Sequence, residues 1–298
     1  MVRQQSNLNT GDGQGLSCAT PILNELLELL AQCAGAFKQS RSGVRAINFM
    51  LGLLLAPSRK TCMASRYYRN LASDESADYK VFSRSNWDVR DWFQVVLKEV
   101  LQALPLGDPL VVAMDDTGLR KWGRDIPQAR YIYDPLALKW LKQRFAWGIR
   151  VLHLAALIPF EYQAGRPYAI PLGFYPKPAA KKPRGKGVGE EELAAYQAAK
   201  KATLLTTEGR KEIAFLRRSM DSLDQGFRKL IVVVDGSFMN GPVAKVPILG
   251  VELIGRVRST IRLREKCPAG NGRAFYGDPL PTPEQYRLSP DLPPRQAS

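Results

Sequence analysis

The stretch Asp108–Leu119, DPLVVAMDDTGL, decides the fold together with its distant counterpart Lys229–Asn240, KLIVVVDGSFMN. Each is a short run of β-branched and apolar residues that ends in aspartate and turn-forming residues. Leu110–Met114 and Leu230–Val234 are too short for ordinary helices, and their valine and isoleucine content predicts two buried strands. We therefore expect a sheet in which both strands deliver an aspartate to a loop.

Asp116 and Asp235 are the carboxylates that these strands would deliver. Two carboxylates on neighbouring strands are a common site for Mg²⁺ or Mn²⁺, which prefer oxygen ligands and keep open positions for phosphate and water. Such a pair supports two-metal phosphoryl transfer. An aspartate after a valine-rich strand can also be only a helix cap or a turn residue. Alternation puts Asp115 and Asp116 on opposite faces, so only one should point into a given site, and Thr117-Gly118 should turn the chain.

The charge balance indicates the class of partner. The chain has 298 residues, with 43 Lys and Arg against 28 Asp and Glu, which gives a formal net charge of +15. This excess favours a polyanion, most commonly nucleic acid. An anionic membrane surface and the absence of any specific partner are the alternatives. The polar N-terminus has no signal-peptide core, and no apolar run is long enough to span a bilayer, which predicts a cytoplasmic protein.

Cysteine and histidine usage excludes two classes of site. Cys18, Cys33, Cys62 and Cys267 form no CxxC pair, and His153 is the one histidine of the sequence. Zinc sites of the finger or ribbon type are therefore not expected. A Ser/His/Asp triad would need His153, which lies in an apolar run without a nucleophile-elbow motif and is expected to be a packed core residue.

The pattern of apolar residues, prolines and glycines predicts four segments. Residues 1–19 form a disordered tail, and 20–106 carry apolar residues at helical spacing, typical of an all-helical region. Residues 107–265 hold the predicted strands, several in a row, which favours hairpins over strict βαβ alternation. Within them, the Pro-, Gly- and Lys-rich stretch 176–189 is an exposed insertion that either grips a DNA backbone or is merely solvated. Residues 266–298 are a Pro- and Gly-rich irregular tail.

Three blocks, in this order, resemble the DDE-type transposases of bacterial insertion sequences. They are VVAMDDTGLRKWG (111–123), IVVVDGSFMN (231–240) and LIGRVRSTIRL (253–263), the last followed by GRAFYGDPLPTPEQYR (272–287). The resemblance covers most of residues 20–290. It implies an α/β fold, with a ribonuclease H-like mixed sheet and flanking helices, preceded by an all-helical N-terminal region.

The resemblance further implies an active site of two aspartates and one glutamate that binds two Mg²⁺ or Mn²⁺ ions. The first aspartate falls on Asp116, because relatives keep aspartate before threonine, and the second falls on Asp235. The glutamate of the family lies on a helix beyond the last residue of this chain. Glu265, Asp278 and Glu284 are present, but none sits in a matching motif. The expectation is therefore an incomplete catalytic domain, a transposase truncated at its C-terminus.

Double-stranded DNA, both terminal repeats and target, is the partner that the resemblance implies, with a homodimer to pair two element ends at the bacterial nucleoid. Arg256 and Arg258 follow the strand of the third block and are predicted to contact phosphates. Structural ion pairs are the alternative. Lys121, Arg124 and Arg130 are further candidates. The predicted function is cutting and joining of element-end DNA; the alternatives are a catalytically inactive DNA-binding protein and a different ribonuclease H-like nuclease.

Overall fold

A computed structural model describes most of the chain. The described residues are 19–57, 75–123, 125–134, 145–159, 167–178, 180, 182, 183, 185, 187–239, 243, 248–257, 259, 262, 264 and 277–289. Two compact units divide it, residues 1–100 and 101–298. Among the helices described, none is long and apolar enough to cross a membrane.

The first unit is helical, as the spacing of its apolar residues predicts. Its helices are α1 (Ala19–Ala34), α2 (Ser40–Leu55), α3 (Glu75–Arg84) and α4 (Val89–Ala103), of which α4 continues into the second unit. Phe37, Ala46 and Val81 form a buried cluster, and the indole rings of Trp87 and Trp92 pack against it. The rings of Phe37 and Trp87 are stacked with their centroids 5.3 Å apart. The predicted N-terminal helices before the sheet are confirmed.

The second unit contains one mixed sheet. Its strands are β1 (Leu110–Arg120), β2 (Arg130–Tyr133), β3 (Phe145–Ile158), β4 (Tyr168–Pro176), β5 (Leu230–Val234) and β6 (Val251–Gly255). The strand order is β2-β3-β1-β5-β6, with β4 also paired to β3. β1, β5 and β6 run parallel, whereas β3 is antiparallel to β1, β2 and β4. The predicted α/β class with hairpins in a mixed sheet is therefore confirmed.

Helices of the second unit flank this sheet. They are α5 (Glu190–Ala202), α6 (Leu205–Ser222) and the short α7 (Pro283–Leu288). A Cβ atom added at Gly209 of α6 would lie 3.2 Å from the Cε atom of Met114 and 3.4 Å from the ring of Phe238, so this helix approaches the sheet closely. Ile213 and Met220 of α6 are buried as well. Burial of this apolar face stabilises the unit.

The predicted end of the first strand is wrong. β1 does not turn at Thr117-Gly118 but continues to Arg120, in antiparallel pairing with β3. The partner strand decides the outcome: β3 is 14 residues long and pairs with nearly the whole of β1, whereas β5 pairs only with its first five residues. Gly118 instead permits a close approach, because a Cβ atom there would lie 2.8 Å from the Cδ1 atom of Ile132. Asp116 therefore lies within a strand.

The C-terminal segment contains more regular structure than predicted. Residues 266–298 were expected to be irregular, yet α7 forms within them. A capping box explains this helix: the Thr282 hydroxyl accepts the main-chain N–H of Gln285 at 3.3 Å, and the Gln285 side chain accepts the N–H of Thr282 at 2.7 Å. Pro283 follows the cap and is pre-organised for the first turn.

Candidate functional site

An open cleft of about 570 Å³ lies where β1 extends past the end of β5. The two strands pair only as far as Met114 and Val234, so the last six residues of β1 have no β5 partner. Four carboxylates and two guanidinium groups line the cleft: Asp115, Asp116, Asp134, Asp235, Arg120 and Arg150. The cleft is therefore a highly charged concave surface and a candidate for chemistry.

Asp235 enters the cleft directly after β5. Its Oδ1 atom accepts the main-chain N–H of Ser237 at 2.6 Å, and its main-chain oxygen accepts the N–H of Phe238 at 3.2 Å. This turn holds the carboxylate at the strand end. The sequence left two roles open for Asp235, a turn residue or a ligand. The geometry includes the turn and also exposes the carboxylate to the cleft.

Asp116 enters the same cleft from β1 and forms an ion pair with Arg150 of β3 through its Oδ2 atom and the arginine Nε atom. Arg150 stands opposite Gly118 in the β1–β3 register. Side chains at alternate positions share one face of a strand, so Asp116 and Arg150 lie on the same face, in a diagonal relation. The Asp116 side chain is 12% exposed and that of Arg150 is 38% exposed. Both predicted catalytic aspartates thus line one cleft.

Asp115 also lines the cleft, whereas alternation along the strand led us to expect only one of the two neighbouring aspartates there. The reason is the free edge of β1 beyond Met114, where residues of either parity can contribute atoms to the cleft wall. The Asp115 Oδ1 atom accepts the main-chain N–H of Asp116 at 2.8 Å, so this carboxylate is folded back along its own strand.

Three cations, Arg130, Arg150 and Lys177, meet beside Asp116, and we name them the basic triad. β2 and β4 pair with the same edge of β3, β2 with residues 145–148 and β4 with residues 151–158. The triad forms between these two paired segments. Arg130 of β2 stands opposite Gly148, and the main-chain N–H of Lys177, just after β4, donates to the carbonyl of Arg150 at 2.8 Å. Register therefore gathers residues from three strands that are distant in sequence.

Hydrogen bonds to the end of β4 bring these groups together, since the Nη1 atom of Arg130 donates to the carbonyl of Pro178 at 3.4 Å, next to Lys177. Burial lowers the pKa of Lys177, and the charges of Arg130 and Arg150 lower it further, while Asp116 and Glu208 act in the opposite direction. Burial and the charge of Arg150 likewise lower the pKa of Arg130. Like charges held together in a half-buried place favour binding of an anion, because an anion relieves their repulsion.

Of the predicted DNA-contacting residues, Arg130 belongs to the basic triad, whereas Arg256 and Lys121 lie outside it. Arg256 is exposed just beyond β6, and its carbonyl oxygen would lie 3.0 Å from a Cβ atom added at Gly236, next to Asp235. Lys121 is half-buried after β1 and donates its main-chain N–H to Trp147 at 3.0 Å. Neither side chain lines the cleft. Arg124 and Arg258 lie outside the described residues.

A third carboxylate was sought at three positions. Asp278 is exposed, and Glu284 of α7 forms an ion pair with Arg287 at 2.9 Å. Glu265 lies outside the described residues. In the part of the chain that the structure describes, no group of three or more His, Cys, Asp or Glu side chains is arranged to hold a metal ion.

The donor chemistry of Asp116 and Asp235 nevertheless fits Mg²⁺. This cation binds through one or two carboxylates, keeps several waters and takes further oxygens from substrate phosphates. Two carboxylates in an open cleft match that preference.

Sequence reasoning missed Arg150 and Asp134, and it included Lys177 only as part of the basic stretch 176–189. Asp134 lines the cleft and forms an ion pair with Arg120. One signal for Arg150 was available: it is the only charged residue in the apolar run 146–158. Lys177 belongs to the basic stretch 176–189, but its place beside Arg150 was not predictable, because it depends on the pairing of β4 with β3.

The model of a family described as DDE superfamily endonuclease matches residues 34–296, which include both strands that carry the cleft aspartates. No curated protein matches the chain.

Proposed function

The chain belongs to the DDE superfamily of endonucleases, and we propose that it is the transposase of a bacterial insertion sequence. In this proposal it cuts and joins DNA at the element ends, with Asp116 and Asp235 as catalytic carboxylates. The observation that carries the proposal is the convergence of these two aspartates, from strands distant in sequence, on one open cleft of a mixed sheet.

Asp116 and Asp235 would hold the divalent cations, Mg²⁺ or Mn²⁺, that enzymes of this superfamily generally use. When bound, such ions would activate the attacking oxygen and stabilise the leaving oxygen at phosphorus. The chain contributes the geometry. Asp235 is fixed by its bond from the Ser237 main chain, and Asp116 by the sheet itself. Rigid placement matters because small misplacements of reacting groups slow such reactions strongly.

Double-stranded DNA is the proposed substrate, as terminal repeats and as target, with two copies of the chain pairing two element ends. The net charge of +15 supports a polyanionic partner. The exposed Arg256, near the loop that carries Asp235, would contact a phosphate flanking the reaction site, and Lys121, Arg124 and Arg258 are retained as further phosphate contacts. Such contacts would position the duplex without reading its sequence.

A second candidate function is DNA binding without cleavage. It is favoured by one observation: among the described residues, no third carboxylate joins the two aspartates in a metal-holding group. A cation held by too few protein ligands would bind weakly. The protein would then act on the element only by occupying its ends.

The test is cleavage of a supercoiled plasmid that carries the DNA flanking the gene, by the full chain with Mg²⁺ or Mn²⁺. We expect nicking by the unaltered chain and a loss of at least about 100-fold in Asp116→Asn and Asp235→Asn. The matched control is Asp224→Asn. Asp224 is an exposed aspartate upstream of β5 with φ of 57°, a conformation that asparagine tolerates, and it does not line the cleft.

Each outcome has a distinct meaning. Nicking that survives Asp235→Asn would refute the assigned site. Absence of nicking together with intact DNA binding would select the binding-only candidate. A DNA affinity that hardly changes between low and high salt would contradict phosphate contacts altogether.

A further inference from the structure

The Asp116–Arg150 ion pair conflicts with the role proposed for Asp116. The Arg150 Nε–H group donates a hydrogen bond to the Oδ2 atom of Asp116, which is one of the two oxygens that this carboxylate could offer a cation. A divalent cation and a guanidinium group therefore compete for the same carboxylate. Binding of the cation at Asp116 requires Arg150 to move or to share its partner.

Arg150 has a second set of neighbours, and these are cations. Arg130 donates to the carbonyl of Pro178, next to Lys177, and the main-chain N–H of Lys177 donates to the carbonyl of Arg150. If Arg150 leaves Asp116, the basic triad loses a neutralising carboxylate. The triad then favours an anion from outside, and a guanidinium fork matches the oxygens of a phosphate.

We propose that the basic triad binds a backbone phosphate of DNA and that Arg150 exchanges Asp116 for this phosphate, so that DNA and the divalent cation bind cooperatively. This inference rests on the proposed function, because it takes DNA as the substrate and Asp116 as a ligand. Arg150 is thus a positioning residue. It keeps Asp116 neutralised in the free protein and releases it when a phosphate arrives.

The exchange gives Arg150 variants a signature of opposite signs. Removing the guanidinium group frees Asp116, so the cation binds more tightly. The same change removes a phosphate contact, so DNA binds more weakly. A loss of folding would weaken the affinities for both the cation and DNA. A merely structural ion pair would not produce tighter cation binding together with weaker DNA binding.

Two binding measurements on the full chain test the proposal. Calorimetric titration with Mn²⁺ alone should show Arg150→Gln binding on the order of threefold to tenfold more tightly than the unaltered chain, since a partly exposed ion pair has been removed. Titration with a duplex of the gene-flanking DNA in EDTA should show weaker binding for Arg150→Gln, and for Arg130→Gln and Lys177→Gln. In each, the slope of log affinity against log salt should fall by about one.

Arg120→Gln is the matched control. Arg120 lines the same cleft and carries the same charge, but its ion pair is with Asp134. Equal tightening of Mn²⁺ binding in Arg120→Gln would mean that any lost positive charge has this effect, and it would overturn the exchange. So would an Arg150→Gln variant whose Mn²⁺ affinity is unchanged or weaker, or whose DNA affinity is unchanged.

Asp116→Asn separates failure of this inference from failure of the proposed function. Retention of Mn²⁺ affinity in Asp116→Asn would refute Asp116 as a ligand, and the proposed function would fail with it. Loss of Mn²⁺ affinity in Asp116→Asn, without tightening in Arg150→Gln, would overturn the exchange alone.

Discussion

Replacement of Arg228 by methionine should destabilise the sheet that carries the cleft. Arg228 is 3% exposed and lies just before β5. Its guanidinium group donates to the carbonyls of Pro105 at 2.6 Å, Asp108 at 2.8 Å and Leu104 at 3.2 Å, and to the Gln225 side chain at 2.7 Å. It therefore fastens the segment that leads into β1 to the segment that leads into β5.

The expected magnitude follows from these bonds. A hydrogen bond to a charged group contributes about 1.5–3 kcal/mol, and a buried acceptor left without a donor is destabilising. Pro105 and Asp108 are exposed residues, so water can replace part of what is lost there. We therefore take about 1 kcal/mol for each of the three carbonyls, or about 3 kcal/mol in total. For a unit of this size that corresponds to a fall in Tm of about 6–12 °C.

Thermal unfolding followed by circular dichroism measures this fall. Arg218→Met is the control, because Arg218 is exposed on α6 and its hydrogen bond to the carbonyl of Ala214 is 3.3 Å long. We expect Arg218→Met to change Tm by less than about 2 °C, as for most surface substitutions. Arg228→Lys keeps the charge without the fork and should fall between the two. If the Tm of Arg228→Met lies within about 2 °C of that of the control, the hydrogen bonds from Arg228 to the three carbonyls do not stabilise the fold.

Two further predictions concern close packing and a buried thiol. A Cβ atom at Gly148 would clash with the carbonyl oxygen of Leu119, so Gly148→Ala should disrupt the β1–β3 pairing and destabilise the protein by more than about 2 kcal/mol in chemical denaturation. Gly187→Ala is the control and should be neutral, because a Cβ atom there would meet nothing within 4 Å. Burial, reinforced by the charge of Glu99, raises the pKa of the Cys33 thiol to about 11, so Cys33 stays protonated at pH 8. We expect it to resist alkylation in the native protein and to react rapidly in denaturant, as measured by peptide mass spectrometry. Rapid labelling of the native protein below pH 9 would contradict this prediction.

The fold was largely predictable because its signals are local. The Val-rich runs of β1 and β5 can only be short buried strands, and both strands are present. Helical spacing in the N-terminal region was equally clear. The end of β1 was not predictable, because Thr117-Gly118 has turn composition and its strand conformation depends on pairing with β3. Tertiary pairing overrides local propensity at such positions.

The candidate site was predictable only in part for the same reason. Asp116 and Asp235 were named because each follows an apolar run in sequence, which is a local signal. Arg150 and Lys177 became neighbours of Asp116 through strand register, and register is set by pairing across long separations. No pattern within one segment contains that information.

The mismatch in strand length is what turns a sheet edge into a cleft. Parallel pairing between β1 and β5 stops at Met114 and Val234, while antiparallel pairing with β3 continues to Arg120. Asp116 thus has one edge of its strand fixed by a partner and the other open. A fixed edge orients the carboxylate and an open edge admits a bulky substrate, and a site for phosphoryl transfer on DNA needs both. Had β5 continued alongside β1, Asp116 would face another strand at that edge, and the same two aspartates would have no cleft in which to meet.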